Sequence, residues 1–218
     1  MSSIAARQLV RMIMLSLICA SSASGRAENI AQSTFSQHDL QVKLVYCKTC
    51  HGLAGQGYRG SSPMPRLAGQ QAEYLENQLT AFVEGRRKDK FMSKVASVLS
   101  PAMVRAVAKH FSELNPKPLG GSTRELAEVG KALFEEGVPG TDIQSCAACH
   151  RPDAKGDGAC PSLAGQLPDY IIRTLVNWSK ERGQDPNKPD TSAIMAPIAH
   201  SLSEAQISAI AAYLAGLE

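Results

Sequence analysis

Two short stretches carry the chemistry of this chain: "CKTCH" at 47–51 and "CAACH" at 146–150. Each packs two thiols and an imidazole into five residues, and such a pattern does not arise twice by chance in 218 residues. Covalent haem attachment uses every group in it. Each thiol adds across one vinyl group of the porphyrin, and the next histidine turns its ring under the iron as proximal ligand. The competing chemistry is a zinc site, which needs a fourth ligand, commonly from a second C-x-x-C or H-x-H pair nearby. None follows either motif within 30 residues. The expectation is therefore two haems, bound through Cys47 and Cys50 and through Cys146 and Cys149, with His51 and His150 as proximal ligands.

The unit that holds each motif is itself a repeat. "PRLAGQQAEYLENQLTAF" (65–82) lies over "PSLAGQLPDYIIRTLVNW" (161–178), with Pro, Leu-Ala-Gly-Gln, Tyr and Leu in register. Farther on, 91–114 lies over 194–217, and "NPKPLGGS" (115–122) joins the copies with a Pro/Gly stretch too broken for a helix. Each copy reads as all-α. Val104, Val107, Ala108 and Phe111 fall at helical spacing, as do Ile207, Ile210, Ala211 and Leu214. Leu126, Val129, Leu133 and Phe134 predict a further amphipathic helix ahead of the second motif. Starts are marked by Ser100 before Pro101, by Ser203 with Gln206, and by Ser122 with Glu125. No stretch alternates as a strand. A unit of this size has a marginal core of its own, so the helices are expected to need the haem to fold.

The repeat also picks the sixth ligand. Met92 aligns with Met195, each opening an "M-x-x-[VI]-A-x-x-L-S" segment, whereas Met103 aligns with Gln206 and Met64 with Cys160. A soft thioether favours Fe(II) and raises the reduction potential. The histidines His38, His110 and His200 have no counterpart and read as surface or core residues. Pro65 and Pro161 sit where a backbone carbonyl could accept the proximal ring N–H. Cys160 is left over, a free thiol or half of an intermolecular disulfide, and reads as a buried bystander.

Residues 1–27 have the form of an export signal: Arg7 and Arg11, the apolar run 12–20, then small residues, with cleavage after Ala23 or Ala27. The run is about half of what a membrane span needs (~20 residues). Without it the mature chain has equal numbers of basic and acidic residues, 20 of each. Their distribution is uneven. Residues 28–118 hold 12 Lys/Arg and 7 Asp/Glu, formally +5, and residues 119–218 hold 8 and 13, formally −5. Opposite halves should attract each other and steer partners, with Arg86, Arg87 and Lys88 among the residues expected to guide docking. Nothing in this pattern suggests a nucleic-acid surface.

Together the two C-x-x-C-H units, the Leu-Ala-Gly-Gln…Tyr segments and the paired methionine segments resemble the dihaem cytochrome c4 family. The resemblance spans nearly the whole mature chain. It implies two tandem class I cytochrome c domains, 28–114 and 123–218, joined by 115–122 and related by pseudo-twofold symmetry. It also implies a periplasmic one-electron carrier at each haem. Its partners would be a quinol-oxidising complex and a terminal oxidase, with peripheral association at membrane complexes left open. Carried over by residue, Cys47, Cys50, His51 and Met92 hold one haem, and Cys146, Cys149, His150 and Met195 the other. Cys160 departs from the first copy. The alternative is a dihaem enzyme or enzyme subunit: a peroxidase, a thiosulfate dehydrogenase, or the haem subunit of a flavin-linked sulfide dehydrogenase.

Overall fold

Three helices in the described residues begin where a side chain takes up free amides of the first turn. Ser100 accepts the Met103 amide ahead of a helix with Pro at its start, and Ser203 and Gln206 form a full capping box. Asp89, which the sequence reading passed over, accepts the amides of both Phe91 and Met92 at 3.0 and 2.8 Å. The cap expected at Ser122 lies outside the described residues. Thr123 immediately precedes that helix and makes no side-chain cap bond.

The computed structural model describes residues 35–121, 123–182 and 191–218. The export signal expected over 1–27, with its cleavage point, therefore falls outside them. By its contacts the chain divides into Met1–Gln37 and His38–Glu218, and the second body carries both motifs. In chain order the helices are α1 (Gln37–His51), α2 (Ala72–Val83), α3 (Lys90–Ser97), α4 (Pro101–Ser112), α5 (Arg124–Glu136), α6 (Ala147–His150), α7 (Pro168–Val176), α8 (Trp178–Glu181), α9 (Ser192–Ser201) and α10 (Glu204–Leu214). Among the described residues there is no strand, only two isolated antiparallel bridges, Tyr58 with Met64 and Asp157 with Cys160. No single helix there is long and apolar enough to cross a membrane.

The predicted stripes of α4 and α10 are the core. Val104, Val107, Ala108 and Phe111 are buried in the first copy, and Ile207, Ile210, Ala211 and Leu214 in the second. In the first copy α4 and α3 pack on α2; in the second α10 packs on α5 and α7. The stripe expected on α5 is only half right. Phe134 is fully buried, but Leu126 and Val129 are 39% and 56% exposed, and the buried line runs through Gly130 instead. The physical reason is close approach of two backbones. A Cβ on Gly130 would lie 1.9 Å from the Ala209 carbonyl oxygen of α10, so only glycine allows the two helices to meet.

The register drift between copies has two locations. Tyr58 and Asp157 are still 99 residues apart, whereas Met64 and Cys160 are 96 apart, so the hairpin between the paired bridges absorbs the first change. The second, from 96 to 103, falls between residues 82 and 91 of the first copy and 178 and 194 of the second. Before the hairpin, the two copies share an unusual backbone. Gly52 follows His51 with φ +87°, and its counterpart Arg151 holds φ 68° with ψ 156°, a region that glycine alone occupies without strain.

The halves meet through reciprocal contacts. Arg87 stacks on Phe82 of its own half, 4.6 Å from the ring centroid, and donates to the hydroxyl of Tyr170 in the other at 2.7 Å. Arg182 stacks on Trp178, also at 4.6 Å, and donates to the Tyr74 hydroxyl at 3.2 Å. Both arginines also reach Gln78 Oε1. Arg87 is therefore buried in the seam, which corrects its expected part in a surface docking run; Lys88 beside it is exposed.

Two substitutions test this reading with opposite signs. Gly130→Ala should destabilise the protein by at least ~2 kcal/mol, because the clash is with backbone and neither helix can yield alone. Arg151→Gly should stabilise it by about 1 kcal/mol by removing the strained φ. Thermal unfolding of the haem-loaded protein checks both, with a lower midpoint expected for the first and a higher one for the second.

Candidate functional site

Each motif ends a helix, and the chain then doubles back under its histidine. His51 is the last residue of α1, and His150 ends the short α6. Both rings are buried, 7% and 6% exposed. His51 Nδ1 lies 2.9 Å from the Pro65 carbonyl and His150 Nδ1 lies 3.0 Å from the Pro161 carbonyl. A carbonyl can only accept, so Nδ1 carries the proton in both rings and Nε2 keeps its lone pair. Burial pulls both histidines below the ordinary imidazole value, more strongly than the carbonyl bond raises them, and at His51 the Arg87 cation adds to the lowering. A neutral ring with Nε2 free is the form that binds a metal.

The sulfurs fit a covalent bond better than a metal. Burial pushes the Cys47 and Cys146 thiols up. Among the described residues no group of three or more His, Cys, Asp or Glu could hold a metal ion. The four motif cysteines and Cys160 are all free of disulfides. Arg66 adds a further fitting feature. Its Nε donates to the Ala68 carbonyl and its Nη2 to the Pro116 carbonyl, while its buried Nη1 has no hydrogen-bond partner. An unsatisfied buried cationic donor beside the proximal loop suits a ligand that brings carboxylates, as haem does with its propionates.

The remaining expected residues separate cleanly. Met92 lies in the first turn of α3, its amide held by Asp89, and Met195 lies on α9; both are partly buried. Met103 is 5% exposed within the α4 core, and Met64 is paired in the hairpin just before Pro65. His38 is exposed, His110 packs edge-on against Phe111, and His200 contacts the Ser179 hydroxyl. Cys160 is partly exposed rather than buried. Its thiol donates to the Cys149 carbonyl at 3.1 Å and sits 3.4 Å from His150 Nδ1. Sequence reasoning missed Asp89, Arg66 and Arg182, and it put Arg87 on the docking surface rather than in the seam. Only Asp89 left a local signal, an N-cap residue three positions before Met92.

Two proximal sites built alike, each behind a C-x-x-C-H helix end, define a dihaem c-type cytochrome. The cytochrome c family profile matches residues 43–116 and 127–218. The chain is 35% identical to a cytochrome c4 of Thiocapsa roseopersicina, over 78% of this chain and 86% of that protein. It is 36% identical to a protein of Thiomonas intermedia named thiosulfate dehydrogenase electron acceptor, over 78% and 77%. The crystal structure of reduced recombinant cytochrome c4 from Pseudomonas stutzeri superposes with a TM-score of 0.71 at 30% identity, covering 84% of this chain and 99% of that one. The chain belongs to the dihaem cytochrome c4 family. It is an electron carrier with two covalently bound c-type haems.

Covalent attachment has a direct chemical test. Acid–acetone extraction should leave the colour with the polypeptide, and the intact mass should exceed that of the processed chain by two haems. A mass increment of one haem, or colour in the acetone phase, would contradict it.

Proposed function

We propose that Cys47, Cys50, Cys146 and Cys149 form the thioether bonds, that His51 and His150 are the proximal ligands, and that Met92 and Met195 are the distal ones. The domains run 28–114 and 123–218, with 115–122 as the join and 1–27 as an export signal. The observation that carries this reading is the equivalence of the two proximal sites, 2.9 and 3.0 Å from ring nitrogen to proline carbonyl. Sites built alike call for ligands present in both copies, and Met92 and Met195 are the pair that the repeat supplies. The haem, when bound, supplies a reversible one-electron iron couple. The chain's own residues keep the imidazole neutral and oriented and exclude water from it.

With a histidine and a methionine to hold each iron, no position would be left open for substrate, which favours transfer over catalysis. We place the protein in the periplasm, passing electrons from a quinol-oxidising complex to a terminal oxidase by peripheral docking. A second donor, thiosulfate dehydrogenase, is favoured by the name of the Thiomonas relative. The exposed basic residues of the first half, Lys88, Lys90 and Lys94, are suited to meet an acidic partner.

Met92→Ala and Met195→Ala should each open one iron to carbon monoxide and lower that haem's potential, whereas Met64→Ala and Met103→Ala should do neither. Carbon monoxide difference spectra with potentiometric titration read this out. For the donor, stopped-flow reduction by thiosulfate dehydrogenase with thiosulfate, and by the quinol-oxidising complex, should slow with salt, since charges beyond ~8–10 Å are screened at physiological ionic strength. A Lys88/Lys90/Lys94→Ser variant should flatten that dependence. Equal slopes for variant and wild type would remove the basic patch from docking.

A further inference from the structure

The Leu-Ala-Gly-Gln run after each proximal loop has a role that haem ligation leaves unexplained. Gln70 and Gln166 are 7% and 6% exposed, and each side chain reaches into the opposite half. Gln166 Oε1 accepts the Arg66 amide at 2.8 Å, and its Nε2 donates to the Arg66 carbonyl at 3.0 Å. Gln70 Oε1 accepts the Ser162 amide at 2.7 Å, and its Nε2 donates to the Ser162 carbonyl at 2.9 Å. Each Oε1 also accepts the amide of the residue that follows it, Gln71 at 2.9 Å and Leu167 at 3.0 Å. Two amide donors on one atom fix it as the oxygen and leave no freedom to flip.

The partners of these glutamines are not arbitrary peptides. The Arg66 N–H shares one planar peptide unit with the Pro65 carbonyl, and the Ser162 N–H shares one with the Pro161 carbonyl. Those carbonyls accept His51 Nδ1–H and His150 Nδ1–H. A peptide whose N–H is drawn by an acceptor becomes a better acceptor at its own oxygen, because hydrogen bonds in a chain polarise one another. We infer that Gln166 is the positioning residue for His51 and Gln70 for His150, so that each half sets the orientation and donor strength of the other half's proximal imidazole. A stronger acceptor at Nδ1 makes the ring a more basic ligand and favours the oxidised iron, lowering the potential. The inference rests on the proposed role of His51 and His150 as iron ligands.

The signature is crossed. In the haem-loaded protein, Gln166→Leu should raise the reduced-to-oxidised ratio of the N-terminal haem at fixed potential about three- to tenfold, at most ~59 mV for one electron. It should also speed amide exchange at Arg66 while leaving the C-terminal haem and the Ser162 amide unchanged. Gln70→Leu should give the mirror image. Haem-methyl resonances followed through a redox titration report each haem separately. Gln71→Ala removes a different bond across the same seam, from Nε2 to the Lys155 carbonyl at 2.8 Å, and should move neither haem. Gln166→Glu, measured at about pH 5 where burial keeps its carboxyl protonated, offers the same acceptor and donor and should restore the wild-type potential. A shift in the substituted residue's own half, equal shifts in both, or none with both haems bound would overturn the relay. If Gln166→Leu fails to fold, Gln70→Leu and the unaltered protein decide. Arg66 and Ser162 amides must then rank among the slowest to exchange, and rapid exchange at either one overturns the inference. Loss of histidine ligation in the wild-type spectrum would instead strike the proposed ligand set.

Discussion

The hydrogen bond from each buried imidazole to a proline carbonyl is the constraint around which the chain is arranged. It demands that the segment after the histidine fold back beneath the ring within about a dozen residues. That demand explains the positive φ angles directly after both histidines, the short hairpin, and a proline whose fixed φ presents its carbonyl without a competing N–H of its own. It also selects one tautomer, and burial keeps the ring uncharged. A ring left free to rotate or to take a proton would offer the iron a weaker and less uniform ligand. The protein therefore invests its most unusual backbone within a few residues of each histidine.

Farther out, the helices serve that arrangement. The terminal helices α4 and α10 carry nearly continuous apolar stripes, and the loops that end at Gly69 and Gly165 are tied to them. Gly69 donates to the Phe111 carbonyl and Gly165 to the Leu214 carbonyl, at 3.0 and 2.9 Å. The same core that closes each copy thus anchors the loop that holds the proximal carbonyl. Cores this small leave much of the apolar lining to be completed by the porphyrin, which is why stability and cofactor binding belong to one process here.

Much of this was legible in the residues. The C-x-x-C-H motifs, the repeat and the helical stripes at 104–111 and 207–214 carry their meaning in local spacing, and the structure places them as expected. The proline carbonyls were legible as candidate acceptors for the proximal rings. What local spacing could not show is contact between copies. The tyrosines and glutamines in register marked Tyr74, Tyr170, Gln70 and Gln166 as shared, but a shared residue can serve its own half or the other. Arg87 was misread for the same reason: in sequence it is one of three adjacent cations, and only the tertiary fold shows it stacked on Phe82 and bonded to Tyr170. On α5 the periodicity pointed to Leu126 and Val129, because a hydrophobic scale cannot see that glycine is required where two backbones touch.

The arginine–tyrosine and glutamine–peptide contacts across the seam come in matched pairs, so each half offers the patch that it also receives. That is the definition of an isologous interface, the kind found between identical subunits of a twofold dimer. The chain is thus a dimer written as one polypeptide. Joining the subunits frees the two copies to diverge, and the divergence is visible in the hairpin length, in Cys160 opposite Met64, and in the opposite charges of the halves. A true homodimer must present a partner with two equal entrances. Here the electron meets a molecule with a front and a back.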